Sequence, residues 1–334
     1  MSVAETAALD RPAFEARREA AEPFVMRGAA AEWPAVQAPD ARALFAQLAR
    51  LDTGAAQDTL IGGTGTQGRF FYSDDYGGQN YSLITETLTQ ALSRLLSGRH
   101  ADGAYVQSIG IARHMPGLAD ANRLDLVPDG VGGRAWIGTP TTVQTHWDAS
   151  ENVAVCVLGR RHVTLFPPTA LPGLYPGPLE TAPGRTMVSR VDLRAPDLER
   201  FPRFAAVRDM ASEVELAPGD ALYIPCGWWH RIEARSPLNM LVNYWWSDGE
   251  AMVDNQWAAV ILAMAALQHL PDAQRDVWRG VFDHFVFREN GQPMADLPPA
   301  ARGFLGGLPP DAKRWAVTEL LAVLGPEVGL KPPG

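Results

Sequence analysis

Three side chains in this sequence could hold a single metal ion. His146 and Asp148 sit two apart in Thr145-His146-Trp147-Asp148, and His230 follows much later in Trp228-Trp229-His230. Residues two apart on a strand share a face, with Cα atoms roughly 6.5–7 Å apart, a reach from which both can bind one ion. A histidine arriving from a distant strand completes two imidazoles and one carboxylate on one side of the metal. That facial set suits non-haem Fe(II), because it leaves positions free for oxygen and a co-substrate. His-x-Asp alone is common, so its meaning rests on the elements that carry it.

Those elements read as short strands. Val153-Ala-Val-Cys-Val-Leu158 is a β-branched apolar run, Gly159-Arg160 a turn, and His162-Val-Thr-Leu-Phe166 a second strand stopped by Pro167-Pro168. Pro218-Gly219-Asp220 turns the chain into Ala221-Leu-Tyr-Ile224 ahead of His230, and Met240-Leu-Val-Asn-Tyr-Trp-Trp246 is a further strand. Short strands punctuated by Pro and Gly and closing around a metal describe a mainly β fold. The expected form is a double-stranded β-helix, or jelly roll, with flanking helices.

At these residues the sequence resembles the JmjC-type oxygenases of the cupin-like class, in a pattern most like an asparaginyl hydroxylase. The matching text is His146-x-Asp148-x-x-x-Asn152, Gly159-x-Arg161 with Leu165-Phe166-Pro167-Pro168, and Glu199-Arg200-Phe201-Pro202. It continues with Gly219-Asp220-x-Leu222-Tyr223-Ile224-Pro225, Trp228-Trp229-His230 and Val242-Asn243-x-Trp245, while Tyr105-x-Gln107 lies upstream. The resemblance implies Fe(II) on His146, Asp148 and His230, with 2-oxoglutarate as co-substrate and O2 as oxidant. It places Tyr105 at the distal carboxylate, Asn152 and Asn243 near the metal-bound end, and Gln107 on the substrate. Oxidative decarboxylation of 2-oxoglutarate to succinate and carbon dioxide would be coupled to oxidation of a C–H bond. An Asp as carboxylate ligand resembles the hydroxylases of the class more than its histone demethylases, so hydroxylation of a protein side chain or small metabolite is expected.

Two positions depart from the pattern. Arg161 stands where the class usually has lysine; it can fork onto a carboxylate, though its planar head fills different space. Val143 stands where a threonine would touch the same carboxylate, and Thr142 or Thr145 compensates if the strand pairs differently, since a one-residue slip exchanges faces. Thr142 is therefore included among the co-substrate residues. Two other readings stay open: a metal-binding cupin with a 2-oxoglutarate-independent activity, and a non-catalytic binding protein. Of the tryptophan pairs, Trp245 is expected to line the pocket because it shares a face with Asn243. His162 should face away from Arg161.

The composition fits a soluble, cytoplasmic protein. Lys+Arg 29 against Asp+Glu 38 gives a net charge of −9, so no global basic field draws in nucleic acid. Two cysteines, Cys156 and Cys226, make no disulfide framework and suit a reducing compartment. The first residues lack an apolar signal region, and no long uncharged apolar run is present, so neither a secretory signal nor contact with a membrane is expected.

Three regions separate along the chain. Residues 1–100 read as helices and a strand packed on the barrel, with helices over Arg11–Ala21 and Asp40–Leu51 and a helix from Tyr81 to Leu96. Residues 101–248 hold the jelly roll, and within it the Pro-rich stretch Thr169–Arg203 reads as an irregular insert at the site mouth. Residues 249–334 turn helical, over Asn255–Leu270, Pro271–Phe287 and Pro310–Leu324. Their apolar face, with Trp257, Ile261, Leu262, Met264, Val277, Trp278, Val281 and Phe282, reads either as a cap on the barrel or as the interface of a homodimer. The homodimer is the expectation, since relatives in the class use their C-terminal helices this way.

Overall fold

The computed structural model describes residues 2–98, 102–249, 256–303 and 310–324. The chain divides into two compact units, Met1–Ser247 and Asp248–Gly334. Fifteen strands are named in the first: β1 (Ala4–Ala7), β2 (Phe24–Arg27), β3 (Ala56–Gly62), β4 (Arg69–Phe70), β5 (Tyr81–Thr87), β6 (Ala104–Gly110), β7 (Arg134–Gly138) and β8 (Thr142–Trp147). They continue with β9 (Glu151–Leu158), β10 (Arg161–Phe166), β11 (Met187–Val188), β12 (Ser212–Leu216), β13 (Ala221–Ile224), β14 (Trp229–Ala234) and β15 (Asn239–Trp246). They form a nine-stranded sheet, β1-β2-β13-β9-β15-β7-β6-β3-β5, and a six-stranded sheet, β11-β8-β14-β10-β12 with β4 against β8.

Alternation along the strands builds two cores from one large sheet. Ala154, Cys156, Leu222, Ile224 and Leu241 pack with Val163, Leu165, Val214, Leu216 and Ile232 of the smaller sheet. The intervening Val153, Val155, Ala221, Tyr223, Met240 and Val242 pack with Phe14 of helix α1 (Arg11–Arg18), Leu44, Phe45 and Leu48 of α2 (Ala41–Leu51), and Leu88 and Leu92 of α3 (Leu88–Ser97). This is the expected jelly roll, with the N-terminal segment supplying both covering helices and additional strands. The sandwich closes around the face that carries His146, His230 and Arg161.

The single helix expected over Tyr81–Leu96 is instead a strand followed by a helix. Tyr81 through Thr87 pair with β3 along their whole length, from Gly62 opposite Tyr81 to Ala56 opposite Thr87. Aromatic and β-branched residues favour that state, and long-range pairing overrides the helical spacing of the leucines. The helix begins where Thr87 and Gln90 form a capping box and ends at Gly98, whose φ is +65°.

The stretch Thr169–Arg203 is more ordered than its composition implies. Ala170, Leu174, Tyr175, Val191 and Phe201 bury themselves with Phe166, Phe204, Val207 and Trp229. β11, inside this stretch, adds to the free edge of β8, Val188 opposite His146.

In the second unit, helices cover Trp257–Leu267, Asp272–Phe285 and Pro310–Leu324, close to the spans expected. Asn255, the expected start of the first, lies outside the described residues. Among the described residues no helix is long and apolar enough to cross a membrane.

Candidate metal centre and cavity

His146 and His230 are register partners on the adjacent strands β8 and β14. Their rings are 4.2 Å apart at the centroids. Asp148 follows at the end of β8, its Oδ2 3.6 Å from His230 Nε2. One ligand atom from each of the three lies within 4.8 Å of the others, a spacing one ion can bridge.

Each imidazole is turned by its own backbone. His146 Nδ1 lies 2.8 Å from the Gln144 carbonyl and His230 Nδ1 3.1 Å from the Trp228 carbonyl. A carbonyl oxygen only accepts, so both Nδ1 atoms carry the proton and both Nε2 lone pairs are left for a metal. The Trp245 indole donates to Asp148 Oδ2 at 3.2 Å, orienting the carboxylate. Burial, reinforced by the neighbouring His146 and opposed by Asp148, pushes the His230 imidazole down to about 4. It is therefore neutral near pH 7 and ready to ligate.

The three ligands open into a cavity of about 990 Å³ between the sheets. Tyr105, Gln107, Asn152, Arg161, Asn243 and Trp245 all border it, as their sequence contexts suggested. The Asn243 amide nitrogen donates to Asn152 Oδ1 at 2.7 Å, joining the asparagines of β15 and β9 beside the metal end. Arg161, only 1% exposed, lies at the other end. Its Nε and Nη2 have no hydrogen-bond partner. Buried guanidinium donors left unmade are costly, and a carboxylate offers the matching pair of acceptors. Burial pushes the Tyr105 phenol up to about 12, with the neighbouring Arg161 charge pulling the other way, so it stays a protonated donor beside Arg161.

Thr142 does not reach the cavity. One extra residue on β8 forms a bulge between the pairs His230–His146 and Ile232–Val143, so Val143 faces inward with Ile232. Thr142 pairs with Glu233 and turns to the opposite face of the sheet. Plain alternation from His146 would have placed Thr142 inside, and nothing in the sequence marks the bulge. Thr145, at the same bulge, is fully buried and does not border the cavity either.

Several bordering residues escaped the sequence reading. Phe70 and Trp136 are among them, and with the expected Tyr105 and Trp245 they make a continuous aromatic wall, ring centroids 5.9, 5.8 and 5.9 Å apart in the order Phe70, Tyr105, Trp136, Trp245. Arg113, His114 and Arg134 also border the cavity. Their signal was weak because none belongs to a motif: strand pairing brings Phe70, Trp136 and Arg134 there, and the short helix Ile111–His114 that follows β6 carries Arg113 and His114. Pro183, Gly184, Thr186 and Val188 of the Pro-rich stretch lie along the cavity as expected. Trp246 and Trp229 are core residues, and His162 faces out toward Glu215, its Nδ1 3.0 Å from the carboxylate.

Comparison with known proteins places this arrangement among relatives. A stretch of 102 residues is 38% identical to Lysine-specific demethylase JMJ31 of Arabidopsis thaliana, covering 30% of this chain and 18% of that protein. Lysine-specific demethylase 8 of Danio rerio is 28% identical over 181 residues, 52% of this chain and 43% of the relative. HSPB1-associated protein 1 of Homo sapiens is 36% identical over 114 residues, 33% of this chain and 22% of the relative. The matches thus span less than half the length of each of these relatives. Residues 11–252, which contain every strand of the two sheets but β1 and every residue of the candidate metal centre, match the cupin-like domain, and the chain belongs to that family.

Proposed function

We propose that the protein is an Fe(II)- and 2-oxoglutarate-dependent oxygenase that hydroxylates a protein side chain or a small metabolite. The observation that carries this reading is a two-histidine, one-carboxylate triad in the same cavity as a buried arginine with unmade donors. The donor set fits the metal, and Arg161 with Tyr105 fits the distal carboxylate of the co-substrate. Bound Fe(II), 2-oxoglutarate and O2 supply the oxidising chemistry. The chain holds and orients: the Gln144 and Trp228 carbonyls fix the imidazoles, Trp245 fixes Asp148, and the aromatic wall excludes water from the reacting carbon. We place the protein in a reducing, cytoplasmic compartment, in keeping with two unpaired cysteines. A homodimer built on the C-terminal helices belongs to the same reading, as does action without nucleic acid or a membrane.

Anaerobic titration of the metal-free protein with Fe(II) and then 2-oxoglutarate tests it. A saturable visible charge-transfer band on adding 2-oxoglutarate is the expected result. Tight metal binding without that band, and without 2-oxoglutarate binding by calorimetry, would favour a cupin of different chemistry.

A further inference from the structure

The mouth of the cavity is cationic in a molecule whose net charge is −9. Arg134 lies opposite Asn243 in the β7–β15 register, and opposed residues share a face, so its side chain starts beside the metal end. Its Nε donates to Ser108 Oγ at 2.7 Å and its Nη2 to the Ser108 carbonyl. Ser108 takes a left-handed backbone conformation (φ +53°), at an irregularity in the β6–β7 ladder between Val106 and Ile109. A serine held there costs about 1 kcal/mol or more, and here it aims both of its oxygens at one guanidinium. Arg113, in the short helix that follows β6, is exposed and also borders the cavity. Of the two carboxylates along the wall, Asp148 belongs to the metal centre, which leaves Asp58, an acceptor from the Thr85 hydroxyl at 2.7 Å, as one acid against two arginines. His114, its pKa lowered by burial first and then by Arg113, adds no opposing charge.

From this placement we infer that the substrate carries a carboxylate next to the carbon presented to the metal, taken by Arg113 and by the fixed Arg134. The inference rests on the oxygenase reading for its metal and co-substrate but concerns two arginines that neither of those groups uses. Free acids and acidic peptide segments share this chemistry. A substrate presenting an isolated ammonium at that point would meet repulsion instead.

Calorimetry on protein loaded with Zn(II) and N-oxalylglycine, which occupies the co-substrate place, provides the test. Three probes are compared: a blocked Ala-Asp-Ala-Ala-Asp-Ala peptide, its lysine counterpart, and N-acetylaspartate. The acidic probes should bind and the lysine peptide should not, with affinity falling as salt is raised. Arg113→Glu should weaken the acidic probes about fivefold to tenfold, and Arg134→Ala by a similar factor, while Arg134→Lys recovers part. Tighter binding of the peptide than of N-acetylaspartate assigns the site to an acidic segment; equal binding assigns it to a free acid. Preference for the lysine peptide, no saturable binding of either acid up to about 10 mM (a free energy near −3 kcal/mol), or variants that bind as the parent does would each overturn the inference. The Fe(II) and 2-oxoglutarate titration in Arg113→Glu keeps the two readings apart. An intact charge-transfer band with lost anion binding leaves the oxygenase standing and locates the anion at the mouth.

Discussion

Trp245 reaches Asp148 with its indole N–H, so a residue expected to touch substrate also orients a metal ligand. Replacing it with Phe keeps an aromatic ring against Trp136 but removes the indole N–H donor along with the second ring. Metal affinity should fall about tenfold, the usual effect of losing an outer hydrogen bond to a ligand, as read by competition with a chelating dye. His146→Ala or Asp148→Ala should abolish stoichiometric Fe(II) binding outright while leaving a folded protein, because two ligands cannot hold the ion against water. His230 carries a pH dependence of its own. In the metal-free protein its folded value is about 4 against 6.5 unfolded, so the unfolded chain takes up the proton first. Its contribution is complete above pH 6.5 and erodes as the pH falls toward 4. Melts of the metal-free protein at about pH 7.5 and about pH 5 should show that loss, and His230→Gln should flatten it. An unchanged slope in the variant would assign the acid sensitivity to other groups.

At the scale of elements, what the sequence disclosed followed the physics of each signal. His146 and Asp148 were legible as a pair because strand spacing acts locally, whereas His230, Arg161, Tyr105 and the two asparagines were reached through the family resemblance and are brought to one cavity by long-range strand pairing. Thr142 and the Tyr81–Leu96 span were misread because a bulge and a long-range ladder decide them, and neither leaves a local mark. The Pro-rich stretch was legible as a cavity border but not as a packed element, since its burial depends on Phe204 and Trp229 from elsewhere. Its dynamics should therefore be split. Residues 170–175 and 187–191, tied by the Ser189 N–H to the Thr145 carbonyl and the Ser189 hydroxyl to the Leu174 carbonyl, should be protected from hydrogen exchange without ligand. Residues 182–186, bordering the cavity around a left-handed Gly184 (φ +69°), should gain protection only when a substrate-sized ligand enters. Uniform protection before and after would make the whole stretch a fixed strap.

For the whole molecule, the second unit raises a question of surface. The helices over Trp257–Leu267 and Asp272–Phe285 contain no buried residue, and Val277 is 67% and Trp278 43% exposed. Apolar surface on that scale is usually covered by a partner. A second copy of the chain is the expected partner, so Val277→Asp combined with Trp278→Asp should lower the sedimenting mass from dimer to monomer at micromolar concentration. A parent that sediments as a monomer would remove the dimer from the reading.

The bulge on β8 gives one stretch of sequence two possible linings for the same cavity. With the extra residue accommodated where it is, an isopropyl group from Val143 meets the space beside Ile232. In a ladder without it, Thr142 would fall on the inward face and Val143 on the outward one, while Gln144 still bordered the cavity and His146 kept its place opposite His230. The wall's polarity is thus set by where a strand irregularity sits, and not only by which side chains the strand carries. For a lineage of such proteins this is a route of change in which the co-substrate chamber is refitted by relocating a kink, with every metal ligand untouched. It also means that aligned letters at this strand do not guarantee equivalent atoms in the chamber, because two relatives with the same residues can present opposite ones.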